Sequence, residues 1–238
     1  TPAPSAAKVS YPGAGTDGAI VADFNGDGIQ DVFIADGGYD DFPAPGGQNS
    51  LLFGTAGGGF IAGKLPAVLD FTHSAAVADI DSDGDQDILI SGDNANFENA
   101  TYLYLNDGSG NFEALQNSTL QPTLFGNQAV SDLDLDGDLD IVIVNPNGSI
   151  VYENVGSNNF NVAANFTGDY IGDCLVTDFN NDGYPDIVIQ GSSHETNFYW
   201  NNSGSLGASD FGAESIDCWL SPNPAIDHLQ IRLETTQA

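Results

Sequence analysis

Asp23 to Asp31 reads D-F-N-G-D-G-I-Q-D, and its frame returns three times: D-I-D-S-D-G-D-Q-D at Asp79 to Asp87, D-L-D-L-D-G-D-L-D at Asp132 to Asp140, and D-F-N-N-D-G-Y-P-D at Asp178 to Asp186. Every copy carries an oxygen-bearing side chain at positions 1, 3, 5 and 9 and a glycine at position 6. Alternate side chains of so short a stretch converge only if the chain curls around something. A hard cation such as Ca²⁺, which takes about six to eight oxygen ligands at about 2.3–2.6 Å, is the group that such a curl suits. The expected side-chain ligands are Asp23, Asn25, Asp27 and Asp31; Asp79, Asp81, Asp83 and Asp87; Asp132, Asp134, Asp136 and Asp140; and Asp178, Asn180, Asp182 and Asp186. At position 7, where Ile29, Asp85, Asp138 and Tyr184 share no side-chain chemistry, the expected ligand is the backbone carbonyl. Gly28, Gly84, Gly137 and Gly183 allow the bend, because glycine enters positive φ without steric cost.

Two other calcium frames do not fit. An EF-hand needs a bidentate Glu at its twelfth position, where this chain has Ile34, Ile90, Ile143 and Ile189. Nonapeptide calcium rolls repeat every nine residues, whereas these loops recur after 56, 53 and 46. Without an ion, the carboxylates of each loop would repel one another at close range. About four Ca²⁺ ions are therefore expected.

The composition points the same way. Lys8, Lys64 and Arg232 are the only Lys or Arg residues against 34 acidic ones, for a formal charge of −31. Nucleic acid and anionic membrane surfaces are excluded as partners, since binding them depends on Lys and Arg. Four divalent ions would leave about −23, so most of the charge remains to favour solubility. No apolar run reaches the length of a membrane span. The chain starts at Thr1 and contains no Met, which reads as a mature extracellular product whose signal peptide has been removed. Cys174 and Cys218 are a candidate disulfide in that compartment.

Apolar, β-branched runs flank every loop. Ala19–Ala22, Ala75–Ala78, Asn127–Val130 and Cys174–Thr177 precede the loops, and Val32–Ile34, Ile88–Ile90, Ile141–Val144 and Ile187–Ile189 follow them. Each pair reads as a β-hairpin with the loop as its turn. A third strand follows at Leu51–Phe53, Tyr102–Leu105, Ile150–Tyr152 and Phe198–Trp200, then a Gly/Asn turn closed by Phe60, Phe112, Phe160 or Phe211, then a more polar fourth strand. Four strands in about 50 residues is the pattern of a propeller blade. The expected fold is all-β, a β-propeller-like array of four four-stranded antiparallel blades at about 15–70, 71–122, 123–168 and 169–220. An N-terminal arm (1–14) and a C-terminal tail (221–238) flank them.

The four D-x-[DN]-x-D-G-x-x-D loops and the turn aromatics resemble FG-GAP/VCBS repeats, the blades of integrin α-subunit heads and of many secreted proteins. That resemblance implies calcium at the residues already named and an extracellular setting. It implies seven blades where this chain shows four. Residues 6–11 read as an additional outer strand, one more than the blades require, which could pair with a neighbouring molecule. The tail Ser221 to Ile231, S-P-N-P-A-I-D-H-L-Q-I, is similar to the opening of a type IX secretion C-terminal sorting domain. Five N-x-S/T sequons, at Asn99, Asn117, Asn147, Asn165 and Asn201, are candidate glycosylation sites.

No catalytic arrangement stands out. His73, His194 and His228 are scattered, and neither a G-x-S-x-G elbow nor a phosphate-binding Gly-Lys loop occurs. The chain is read as a non-enzymatic, calcium-binding structural or adhesive protein that self-associates. The alternatives are a lectin stacking sugars on Tyr102, Tyr104, Tyr199 and Trp200, with glycans or cell-surface proteins as partners, or an accessory domain of a larger secreted protein.

Overall fold

The computed structural model describes residues 16–37, 47–68, 70–94, 98–116, 120, 127–144, 148–167, 170–191, 196–207, 211–221 and 230–236. All regular elements among them are strands, in four antiparallel meanders. Sheet one holds β1 (Thr16–Ala22), β2 (Asp31–Asp36), β3 (Ser50–Gly54) and β4 (Phe60–Ala62). Sheet two holds β5 (Asp70–Ala78), β6 (Asp87–Asn94), β7 (Asn99–Asn106) and β8 (Phe112–Gln116). Sheet three holds β9 (Gln128–Ser131), β10 (Asp140–Ile143), β11 (Ser149–Asn154) and β12 (Phe160–Phe166). Sheet four holds β13 (Tyr170–Thr177), β14 (Asp186–Gly191), β15 (Thr196–Asn201), β16 (Phe211–Ser221) and β17 (Gln230–Thr236).

The fifth strand of sheet four corrects the expectation of a separate tail and of four-stranded sheets throughout. Residues 230–236 fold back along β16, with Leu233 opposite Cys218 and Gln230 opposite Ser221. The P-N-P segment and the N-terminal strand expected at residues 6–11 lie outside the described residues.

The chain divides into two compact units, Thr1–Thr123 and Leu124–Ala238. In the first, Phe24, Phe33, Ala35 and Leu51 of sheet one pack on Ile88, Ile90 and Tyr104 of sheet two. In the second, Leu133, Val142 and Val151 of sheet three pack on Ile187, Ile189 and Tyr199 of sheet four. Phe166 stacks on Tyr199 at 3.9 Å between ring centroids, with Phe211 edge-on at 5.3 Å. The central strands of sheet three are buried on both faces (Ile141, Val142 and Ile143 are at most 1 % exposed), which explains their unbroken apolar sequence.

A polar contact repeats across each packed pair. Asn106, ending β7, donates its side-chain amide to the Phe24 carbonyl at 2.8 Å, and Asn201, ending β15, does the same to the Leu133 carbonyl at 2.8 Å. Phe24 and Leu133 each occupy position 2 of an acidic loop. The turn that follows the Asn leans on the preceding sheet. A Cβ on Gly110 would meet the Phe53 ring at 2.4 Å, and one on Gly204 would meet the Asp134 carbonyl at 2.8 Å. Each pair of sheets is thus locked through an acidic loop.

This burial removes one candidate glycosylation site. Asn201 is 0 % exposed and its amide nitrogen is engaged, so it cannot carry a glycan. Asn165 is exposed on the edge strand β12. Asn99 lies in β7 with a side chain outside the described set, and Asn117 and Asn147 lie outside the described residues. Cys174 is a free, buried thiol, pushed up to about 12, mainly by burial. The pairing with Cys218 fails because β14 and β15 separate their strands. Three strand spacings are about 14 Å, twice the reach of a disulfide.

The lock gives a direct prediction. Asn201→Ala leaves the Leu133 carbonyl without its amide and should cost about 1–3 kcal/mol, read as a shift in urea unfolding. An exposed control, Asn165→Ala, should leave the midpoint unchanged.

Candidate metal centre

All four acidic loops close by one hydrogen-bond scheme. The position 1 carboxylate accepts the glycine N–H of position 6, at 2.7 Å for Asp23, 3.0 Å for Asp79, 3.2 Å for Asp132 and 3.0 Å for Asp178. Position 3 (Asn25, Asp81, Asp134, Asn180) accepts the N–H of position 5 at 2.8–3.3 Å. Position 5 (Asp27, Asp83, Asp136, Asp182) accepts that of position 7 at 2.8–3.0 Å. Gly28, Gly84, Gly137 and Gly183 have φ of 81°, 99°, 103° and 99°. Sequence reasoning missed a second left-handed residue, at position 4: Gly26 at 70°, but also Ser82 at 62°, Leu135 at 64° and Asn181 at 62°. A leucine there carries a steric cost of about 1–2 kcal/mol, which the rest of the loop sustains.

Position 9 has a role beyond the expected one. Asp31, Asp87, Asp140 and Asp186 are at most 1 % exposed. One oxygen of each accepts the N–H of position 2 (Phe24, Ile80, Leu133, Phe179) at 2.9–3.0 Å. The other accepts the N–H ending the third strand (Gly54, Asn106, Asn154, Asn201) at 2.8–2.9 Å. The carboxylate therefore joins loop, second strand and third strand. Each of its oxygens retains a lone pair, so the brace and a metal ligand can coexist.

The residues fit a hard cation. Among the described residues, Asp79, Asp81 and Asp87 each bring one oxygen within 4.8 Å of the others, and so do Asp132, Asp134 and Asp136. In these same two loops, Oδ1 of Asp79 and Oδ1 of Asp132 are buried with no hydrogen-bond partner. A buried carboxylate oxygen without a donor is costly, and a cation among the neighbouring oxygens would satisfy it. Burial pushes the carboxyl of Asp87 up to about 6 and that of Asp140 up to about 7, against the pull of their backbone donors. Burial first, then neighbouring carboxylates, also raises Asp81 and Asp134. The position 7 side chains stand outside the scheme, and Asp85 and Asp138 accept none of the loop bonds described above.

Residues 23–90 match the family model of the FG-GAP-like repeat. This stretch belongs to the FG-GAP-like repeats. Its bounds take in the first acidic loop, sheet one from β2 onward and the second loop with the start of β6. No curated protein matches the chain. Among solved structures, a lectin of Agrocybe aegerita that recognises non-reducing terminal N-acetylglucosamine aligns over 82 % of this chain and 50 % of its own, with 21 % identity and a TM-score of 0.52. The V. cholerae biofilm matrix protein Bap1 aligns over 85 % of this chain and 34 % of its own, with 21 % identity and a TM-score of 0.43. The first likeness supports the fold. The chain spans half or less of the length of both proteins.

Two predictions separate bracing from metal ligation. Asp140→Ala strands two buried N–H groups and should cost about 3–5 kcal/mol even without metal. Asp136→Ala should cost about 2–4 kcal/mol in calcium and much less in chelator, and Asp138→Ala should have little effect in either, all read from unfolding midpoints. Equal damage from Asp136→Ala and Asp138→Ala would contradict the register. The second concerns pH. A carboxyl whose folded value is raised binds its proton more tightly when folded, so stability falls as pH rises from the unfolded value through the folded one. With Asp87 at about 6 and Asp140 at about 7, metal-free protein should melt at a lower temperature at pH 8 than at pH 5. A rise over that interval would contradict the assignment.

Proposed function

We propose that this chain is an extracellular, calcium-stapled structural or adhesive protein, a propeller-like array whose four acidic loops each hold one Ca²⁺ and whose copies associate. The observation that carries the reading is the pair of buried, unpartnered carboxylate oxygens of Asp79 and Asp132, each inside a ring of further carboxylates. The donor set is all oxygen, which favours Ca²⁺ or Mg²⁺ over the metals that prefer nitrogen and sulfur. The alternating side chains of a nine-residue loop suit the larger, less geometrically demanding Ca²⁺. Asp23, Asn25, Asp27, Asp31 and their equivalents would hold it, with the carbonyls of Ile29, Asp85, Asp138 and Tyr184. Bound there, the ion supplies charge neutralisation and cross-linking. An extracellular setting fits, because loops of this kind fill where calcium is abundant. The carboxylates are committed to loop closure, which leaves them unsuited to acid/base catalysis, and the protein is read as non-enzymatic.

Carbohydrate binding is the second reading, favoured by the fold shared with a lectin. Of the four aromatics that could stack on sugars, Tyr104 at 0 % and Tyr199 at 7 % exposure belong to the core. Tyr102 and Trp200 are half-buried. A glycan array in the presence of calcium tests this reading.

Folding should depend on the metal, because binding to the folded state alone stabilises it by mass action. Stripping calcium should lower the melting temperature by more than about 10 °C, and calcium, more than magnesium, should restore it. The two loops of lower charge, with Asn25 and Asn180 at position 3, should release their ions before those at Asp79 and Asp132. An unchanged melting curve after verified metal removal would contradict the proposal.

A further inference from the structure

The acidic-loop lock described above has two halves, a receiving face and an entering face, and among the described residues one face of each kind carries exposed apolar side chains. In sheet one, Ile20, Phe33 and Leu51 stand side by side across β1, β2 and β3 and, with Phe24, face sheet two. In sheet three, Ala129, Val142 and Val151 hold the same register and, with Leu133, face sheet four. The corresponding row of sheet four is Leu175, Val188 and Phe198, with Phe179 at loop position 2. Phe24 and Leu133 are 0 % exposed, but Phe179 is 39 % exposed and Leu175 is 63 % exposed. Phe198 stacks on Trp200 at 5.4 Å, and Phe179 sits edge-on to Phe198 at 5.9 Å. This face has the register of a surface that elsewhere receives the next sheet.

The entering half recurs as well. Sheet two presents Val77, Ile88 and Tyr104, one row across β5, β6 and β7, and sheet four presents Val176, Ile187 and Tyr199. In sheet one that row is Val21, Val32 and Leu52, with Val21 57 % exposed.

We propose that the Leu175–Phe179–Phe198 face of sheet four seats the Val21–Val32–Leu52 face of sheet one from a second copy of this chain, continuing between molecules the contact repeated within each unit. This rests on the reading of the chain as a self-associating protein and names the surfaces involved. Both rows are apolar at the positions that would meet, and burial of apolar area is the driving force. The contact is heterologous, each copy offering a different face. It is weaker than its internal counterparts: the position of Asn106 and Asn201 is Gly54 in sheet one, so no side-chain amide reaches the Phe179 carbonyl. Reversible, concentration-dependent association follows.

The test is sedimentation velocity of the full chain in millimolar calcium over a concentration series, with the variants Leu175→Glu and Val21→Glu. Both positions are exposed, so the variants should fold, which melting curves check. The wild-type chain should associate, and either variant should weaken association by about a hundredfold, equivalent to burying an unpaired charge. Mixing the two variants should restore a one-to-one dimer and nothing larger, because one retains an intact sheet four face and the other an intact sheet one face. A wild-type chain that stays monomeric overturns self-association and the seat with it. Association that neither variant alters, or a mixture that remains monomeric, overturns the seat alone.

Discussion

A buried carboxylate at the ninth position of each acidic loop is the constraint on which the rest depends. Asp31, Asp87, Asp140 and Asp186 each accept two backbone N–H groups, one from their own loop and one from the far end of the third strand. These bonds fix the hairpin against its neighbour strand. They also orient the carbonyl at position 2, which in two loops accepts the Asn amide of the adjacent sheet. Loop closure, sheet formation and sheet-to-sheet packing therefore share the same few atoms.

The cost of this arrangement is concentrated negative charge. Burial first, with repulsion from neighbouring carboxylates, pushes Asp87 and Asp140 well above the ordinary carboxylate range, and the unpartnered oxygens of Asp79 and Asp132 point to the same deficit. A divalent cation offsets repulsion and desolvation together, since both arise from charge without a counter-charge in a low-dielectric site. A cation bound there would act at the junction between packed sheets as well as within its own loop, and the stability of each unit would depend on it.

Much of this was legible in the residues. The spacing of Asp, Asn and Gly located all four loops, the short runs on either side of them located the first two strands of every sheet, and the aliphatic and aromatic run further on located the third, because a buried strand and a tight turn each impose a local pattern. What escaped the sequence depends on contacts across the fold. The bracing role of Asp140 requires knowing that Leu133 and Asn154 lie beside it. The burial of Asn201, which removes a candidate glycosylation site, comes from a carbonyl 68 positions away. The left-handed Leu135 has no signature in its residue type. The fifth strand of sheet four follows from backbone pairing along β16; the Pro-rich turn and L-x-I run of that segment suggest a strand but not which strand it joins.

The most direct test of the central claim is the number of calcium ions held per folded chain. Native mass spectrometry of protein equilibrated with calcium, then passed into metal-free volatile buffer, should show about four ions per chain, one per acidic loop. Replacing Asp79 together with Asp81 by Ala should reduce that number by one. A folded chain that carries no calcium, or whose count is unchanged by that double substitution, would contradict the account.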